Sequence, residues 1–428
     1  MSYSISNPAS LEPGKTLRTL GAFEEYVWLL EQRVSRTIVV AAEVEGPTRI
    51  ESWRAALDTV QAHHTILSAR IRQKPGYRPC FEYAPGAALS LQVVLRESGT
   101  RLFELLSREL STRFAPGEVL LRATLLYGRD RSTLLLAADH AAFDGMSLVF
   151  VIRDLLRALA GEPLGSRQTM PPSHDELLGL HTNDRYATAP AAPDSNSAHG
   201  SPPCAADASG LTETDEQPLL QQIWLEPSIT SVLTNRARDE ETTVHGALCA
   251  AVMLAGRAHS RSWADNTVRC ASPVDTRPLL GVNEQLGLRL TMRYTELEAS
   301  NAPSFWDLAR TVKQDVALRR TAADAAGGFF APILDMISAG IDPDRLVMGS
   351  RQRAHTLMVS NYGRLAIRTK YGRLRLRWVT PAVMSGAPRT QTVSVATVDG
   401  LLCMTNVSIE PVPSLLGAAR RLLLAQLE

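Results

Sequence analysis

Leu134-Leu135-Leu136-Ala137-Ala138-Asp139-His140-Ala141-Ala142-Phe143-Asp144-Gly145 is the stretch on which the reading of this chain turns. An apolar run ends at a histidine, and an Asp-Gly turn follows. Then Met146 to Ala160 repeats apolar residues at helical spacing (Leu148, Val149, Ile152, Leu155, Leu156, Leu159). The pattern predicts a strand, a short loop and a departing helix. A histidine held at such a strand end suits general-base work on a hydroxyl, amine or thiol.

Working outward, the first part of the chain reads as a helix over Arg49 to Ser68, strand and turn over Ile71 to Tyr83, and an amphipathic helix over Leu102 to Phe114. Two strands follow, Val119 to Tyr127 and Ser132 to Ala138, joined by Gly128-Arg129-Asp130-Arg131. From Gly165 to Gln217 Pro, Ser, Ala, Asn and Asp dominate, which predicts an interdomain linker with at most a short helix from Glu176 to His181. Beyond it, helices are expected over Pro227 to Ala237, from Thr242 through His259, over Asn301 to Arg320 and over Ser414 to Leu427. Strands are expected over Thr267 to Pro273, Thr356 to Asn361, Leu374 to Thr380, Thr392 to Val398 and Leu401 to Ile409, the last two joined at Asp399-Gly400. Both parts therefore mix helices with mostly antiparallel strands.

Whole-chain properties narrow the classes. The chain has 428 residues, which favours two domains. Lys plus Arg is 45 and Asp plus Glu 44, a net charge of +1 that gives no support for a nucleic-acid partner. Five cysteines without CxxC spacing suggest neither a zinc site nor a disulfide framework, and a reducing, cytoplasmic setting is expected. The first ten residues lack the basic start and apolar core of a secretory signal, and no run reaches membrane-span length. No HExxH-type ligand spacing points to a metal hydrolase. No GxSxG elbow is present, which favours direct transfer over an acyl-enzyme.

Two further stretches complete the pattern. Ser272-Pro273-Val274-Asp275-Thr276-Arg277-Pro278 ends a predicted strand and is soon followed by Asn283-Glu284-Gln285-Leu286-Gly287-Leu288; Val359-Ser360-Asn361-Tyr362-Gly363-Arg364 lies further on. HxxxDG, PVDxRP and SNxG, in this order, resemble the condensation-domain superfamily of acyltransferases. That superfamily holds nonribosomal peptide condensation domains, plant-type BAHD acyltransferases and polyketide-associated (Pap-type) acyltransferases. Leu20 to Leu30, with Glu24 and Glu25, resembles the start of the Pap-type enzymes. Ala55 to Ile71, with His63-His64, resembles the family's first helix, turn and strand. The chain departs from many condensation and Pap-type members at Asp139, where they carry a first histidine; BAHD enzymes do without it.

The resemblance implies an α/β (α+β) fold of two chloramphenicol-acetyltransferase-like halves, with largely antiparallel mixed sheets and an active-site tunnel between them. Residues 1–165 would form the half carrying HxxxDG, 166–217 a flexible linker and 218–428 the second half. It places His140 and Asp144 at the catalytic centre. His140 would be the base, and Asp144 would turn away from the tunnel to pair with the arginine matching Arg277. Gly145 would allow the tight turn. Ser360, Asn361 and Thr392, with Ser394 a weaker candidate, would position the carbonyl or the forming oxyanion, although Asn361 and Gly363 also suit a plain turn.

The implied donor is a CoA or acyl-carrier-protein thioester, with no permanently bound cofactor and no metal. The acceptor is a small-molecule or lipid hydroxyl in lipid, polyketide or other secondary-metabolite biosynthesis, and the enzyme a stand-alone monomer. Two alternatives stay open: a stand-alone enzyme forming an amide between carrier-bound substrates, and a catalytically silent binding module. The other histidines have plainer expectations. His63-His64 and His245 read as structural, and His174, His181 and His199 as solvated in the linker. Met253, Met292 and Met384 read as core filling before channel lining.

Overall fold

The computed structural model describes residues 12–96, 102–180, 184, 217–317, 329–352, 355–384 and 387–428. Among these residues, two six-stranded mixed sheets and a small three-stranded sheet organise the chain. In the first large sheet Arg131–Ala138 lies between Ile38–Glu45 and Leu121–Tyr127, antiparallel to both. Ser90–Leu95 adds a parallel edge beyond Leu121–Tyr127. In the second, Leu357–Arg364 runs parallel to both Val268–Asp275 and Gln391–Val398, while Leu290–Leu297, Leu401–Ser408 and Leu219–Leu225 pair antiparallel with their neighbours.

Ile38–Glu45 is buried on both faces. Val40, Ala42 and Val44 join one apolar cluster, Val39 and Ala41 another. Such a strand has no polar alternation, because neither face meets water. Helix Gly145–Leu159 covers this sheet together with helix Ile50–His63, burying Leu148, Val149, Ile152, Leu155 and Leu156. Each such side chain contributes about 1.5–3 kcal/mol relative to exposure. The expected helix over 49–68 ends at His63, and Thr65–Ser68 tightens into a 3-10 turn. A second apolar cluster lies under helix Val244–His259, whose Ala, Gly and Leu residues allow close packing.

Two expected boundaries shift. The strand Leu374–Val383 lies beyond residue 218 in sequence, yet it pairs antiparallel with Ile38–Glu45, from Arg375 opposite Glu45 to Val383 opposite Ile38. The sheets therefore interlock: a strand of the expected second half completes the first sheet. The expected linker also begins late. Gln168 bridges to His64, and Arg18 Nε and Arg289 Nη2 donate to the carbonyls of Pro171 (2.7 Å) and Pro172 (2.5 Å). The short helix forms at His174–Leu177, earlier than expected, because Ser173 and Glu176 close a capping box there. His174 is buried rather than solvated; its ring packs against Phe330 at 4.4 Å. His181, His199 and the stretch Ala189 to Ser209 lie outside the described residues. No described helix is long and apolar enough to cross a membrane.

Candidate active site

His140 follows the Arg131–Ala138 strand in a loop tied down by its predecessor. Asp139 Oδ1 accepts from Ala141 N at 2.8 Å, and the Asp139 carbonyl accepts from Ala142 N (3.1 Å) and Phe143 N (3.2 Å). The position that departs from the family pattern thus supports the loop. Burial pushes the Asp139 carboxyl up to about 6. Burial, then Asp139, pushes the nearby Glu31 carboxyl up to about 8.

The imidazole of His140 is half-buried and lines a cavity of about 420 Å³. Its Nδ1 lies 2.8 Å from the Phe143 carbonyl, which can only accept. Nδ1 therefore carries the proton, and the neutral ring keeps a lone pair on Nε2. Burial holds its pKa below the usual histidine value; Phe143 and Asp144 oppose this and Arg36 adds to it. The ring is thus neutral at physiological pH.

Asp144 caps helix Gly145–Leu159, with Oδ1 accepting from Ser147 N and Ser147 Oγ, each at 2.8 Å. Arg277 donates to it in a fork: Nη1 to Oδ2 at 2.8 Å and Nη2 to Oδ1 at 2.9 Å. Arg289 N adds a bond to Oδ2 at 2.9 Å. Burial alone would raise the Asp144 pKa, but Arg277 and Ser147 outweigh it and hold the group below the usual carboxylate value. With both oxygens committed, Asp144 is a positioning residue. Arg277 also donates Nε to Gln285 O (2.9 Å) and Nη2 to Gly287 O (3.1 Å). The Asn283–Leu288 stretch is the other side of this seam: Gly287 N donates to Ser147 Oγ at 3.0 Å, and its φ of +134° suits glycine alone.

Gly145 is required by a close approach rather than by a turn. A Cβ there would sit 1.8 Å from Tyr362 Oη, against the side of the ring. Tyr362 is not among the expected site residues; it joins the end of strand Leu357–Arg364 to the start of the histidine loop's helix. Gly145→Ala is expected to cost about 1–3 kcal/mol by overpacking, read as a lowered melting temperature. Tyr362→Ala in the same chain should restore most of it. An unchanged melting temperature in Gly145→Ala would show that the helix start has room.

Among the other expected residues, Ser360 and Asn361 line the cavity. Asn361 Oδ1 accepts from Gly363 N at 2.8 Å, so it shapes the turn as well. Thr392 does not reach the cavity: it is fully buried in the second sheet, and its hydroxyl, like that of Ser394, has no partner among the described residues. Met292 and Met384 line the cavity, whereas Met253 fills the second core. His245 bonds Ser272 Oγ at 2.9 Å within the second half, and burial pushes it down to about 4.

Among the described residues His63, His64 and Asp154 bring ligand-type atoms within 4.8 Å of one another. Asp154, however, already holds His64 Nε2 (2.9 Å) and Arg153 Nε (3.0 Å), with Arg157 beside it. Two guanidiniums disfavour a cation there, so this cluster is packing.

The cavity joins both sheets. Ile38 and His140 come from the first, Pro273, Leu290, Met358 and Ser360 from the second. Phe23, Val27 and Leu30 of helix Ala22–Glu31 and Ile333 and Met336 of helix Phe330–Ser338 give it an apolar wall. The arrangement sets a neutral imidazole in a partly open, largely apolar cavity lined from both sheets.

Comparison with known proteins agrees with this architecture. Residues 214–406 match the family model PapA_C, described as the phthiocerol/phthiodiolone dimycocerosyl transferase C-terminus. The first condensation domain of the calcium-dependent antibiotic synthetase superposes with a TM-score of 0.67 at 15% identity, covering 96% of each chain. TRI3 trichothecene 15-O-acetyltransferase from Fusarium sporotrichioides superposes with a TM-score of 0.65 at 11% identity, covering 98% of each. Malformin synthetase mlfA of Aspergillus niger is 28% identical over 174 residues, 38% of this chain. The chain spans only 3% of the length of that synthetase.

Proposed function

We propose that this chain, which has the two-halved fold of the condensation-domain and Pap-type acyltransferase superfamily, moves an acyl group from a thioester to an alcohol. The single observation that carries the reading is His140, its Nδ1 anchored on Phe143 O and its Nε2 left as a base in the cavity. Nε2 takes the proton of the acceptor hydroxyl as the oxygen attacks the thioester carbonyl. The tetrahedral intermediate collapses with loss of the sulfur, and the imidazolium returns its proton to the departing thiolate. One ester and one free thiol result. Ser360 Oγ is the group we assign to the developing oxyanion, since it lines the same cavity. Asp144 and Arg277 keep the loop in place across the seam. The donor is CoA or a carrier-protein thioester, and no resident cofactor enters the scheme.

An alcohol acceptor is supported by the O-acetyltransferase likeness and by a family model named for transfer to phthiocerol. The match to the probable non-canonical nonribosomal peptide synthetase CymA of Salinispora arenicola, 26% identical over 303 residues, favours a second reading, amide formation between carrier-bound substrates. Purified protein offered acyl-CoA and acyl-carrier protein with an alcohol and an amine acceptor separates the two, with product mass as the readout. Absence of either product would end the transferase reading. A pH profile adds a signature. Since burial holds the His140 pKa low, the acid limb of kcat/KM should lie below the ordinary histidine value of about 6.5. Transfer should then be complete at pH 7 and fade as the ring becomes cationic. A limb above pH ~6.5 would rule against this base.

A further inference from the structure

Part of the cavity lining is basic. Arg36, Arg269 and His355 all face the space that His140 lines. They lie close together. The Arg269 carbonyl accepts from Thr356 N at 2.9 Å, which sets His355 beside Arg269. Arg36 lies two residues before the strand Ile38–Glu45, which pairs with the strand that leads to His140, and its charge acts on both His140 and His355. His355 Nε2 is buried without a hydrogen-bond partner among the described residues. Leaving such a group unpaired costs about 1–3 kcal/mol, and the ring it belongs to is one of those lining the cavity. Burial, then Arg36 and Arg269, pushes His355 down to about 4, so the ring is neutral and can donate one N–H.

The neighbouring acids cancel this charge only in part. Glu31 accepts from Arg36 N, but its carboxyl is pushed up to about 8 and carries little charge at neutral pH. Asp139, the other buried acid beside it, is pushed up only to about 6, so this pair of acids keeps about one negative charge at neutral pH, against the two guanidiniums of Arg36 and Arg269. Glu296 meets Arg269 at 3.4 Å on the exposed side, where screening weakens the pair. Asp275 is held by Arg277. The Arg269 guanidinium stacks on Tyr294 at 4.2 Å, which keeps its plane fixed.

We propose that one substrate of this chain carries a free carboxylate, and that Arg269, His355 and Arg36 bind it in the same cavity as His140. The inference rests on the acyl-transfer reading for which substrate is meant, but not for the binding itself. A carboxylate fits better than the phosphate of a pantetheine arm. Arg36 acts electrostatically on His140 itself, whereas that phosphate lies a whole arm away from the reacting thioester. The carboxylate can belong to the acceptor, as in a hydroxy acid, or to the acyl group, as in a half-thioester of a diacid.

Titration calorimetry with 3-hydroxydecanoate and its methyl ester tests the binding without any turnover. The acid should bind about 10- to 100-fold more tightly than the ester, the usual worth of a charge-assisted contact. Arg269→Gln and His355→Gln should each remove most of that preference. Arg269 is partly exposed, so its variant should fold even where His355→Gln does not. Comparing succinyl-CoA with butyryl-CoA covers the other source. A succinyl preference lost in Arg269→Gln would put the carboxylate on the donor, and a preference for the hydroxy acid would put it on the acceptor. Equal handling of acid and ester, together with equal handling of succinyl and butyryl donors, would overturn the proposal. Tight binding of 3-hydroxydecanoate without turnover would leave it standing while sinking the transferase reading.

Discussion

Replacing His140 by alanine is expected to cut acyl transfer by ~10²–10⁴-fold, the usual worth of a general base. The fold should survive. The ring is half-buried and is held by the Phe143 carbonyl. The loop is held instead by Asp139 and by Asp144, both outside the deletion. Initial rates with the acyl-CoA and alcohol pair, alongside a melting curve, separate the two effects. Turnover within a few-fold of the unaltered chain would remove His140 from the chemistry. A matching collapse in melting temperature would show that the ring is structural.

The second large effect concerns stability rather than rate. Asp144→Ala leaves the Arg277 guanidinium, 1% exposed, without its forked partner. Asp275, at 3.1 Å from Nη1, is then its one remaining carboxylate partner among the described residues, so the cost should approach the ~3–5 kcal/mol of breaking a buried pair. Arg277→Ala should cost a similar amount, because Asp144 then keeps only Ser147 and the Arg289 N–H. The double replacement should cost much less than the sum, since neither charge is left alone. Asp144→Asn should fall between, since its one oxygen can keep the bonds of one side while its NH2 faces the donors on the other. The folded pKa of Asp144 is depressed. The pair's contribution should therefore be present above the unfolded aspartate value of about 3.9, and lost as the pH falls through the folded value. Additive costs below about 1 kcal/mol in denaturant titrations would mean that the pair is no more than a surface contact.

The strongly periodic elements are legible in the amino-acid sequence. The helix after Asp144 has its apolar residues at helical spacing and an aspartate cap, and it forms over Gly145–Leu159. The hairpin at Asp399-Gly400 likewise forms where its turn residues sit. Elements lacking a period are not legible in this way. Ile38–Glu45, at the centre of the first sheet, is apolar on both faces and shows no alternation. Helices Phe330–Ser338 and Pro343–Gln352 are absent from the sequence-based expectation as well, although the first forms a wall of the cavity. The methionines show the same limit. Met292 and Met384 line the cavity and Met253 fills a core, yet nothing in their local sequence separates them.

What this sequence determined by itself was local: a strand ending at His140, an Asp-Gly turn, a capped helix, and the ordered motifs that resemble one acyltransferase superfamily. Local hydrogen bonding and side-chain period carry that information over a dozen residues, and a sequence displays them directly. Apart from the Asp144–Arg277 pair, which the resemblance implied, the contacts between distant segments were decided by the tertiary structure. Tyr362 presses on Gly145, and Leu374–Val383 leaves its own half to pair with Ile38–Glu45. His174, set in a polar and proline-rich stretch, is buried against Phe330. Arg36, Arg269 and His355 come from three separate regions to line one cavity with His140. Such contacts depend on register and on the shape of two packed sheets. No short-range pattern encodes either, because the free energy that selects them is gained only once the whole core is assembled.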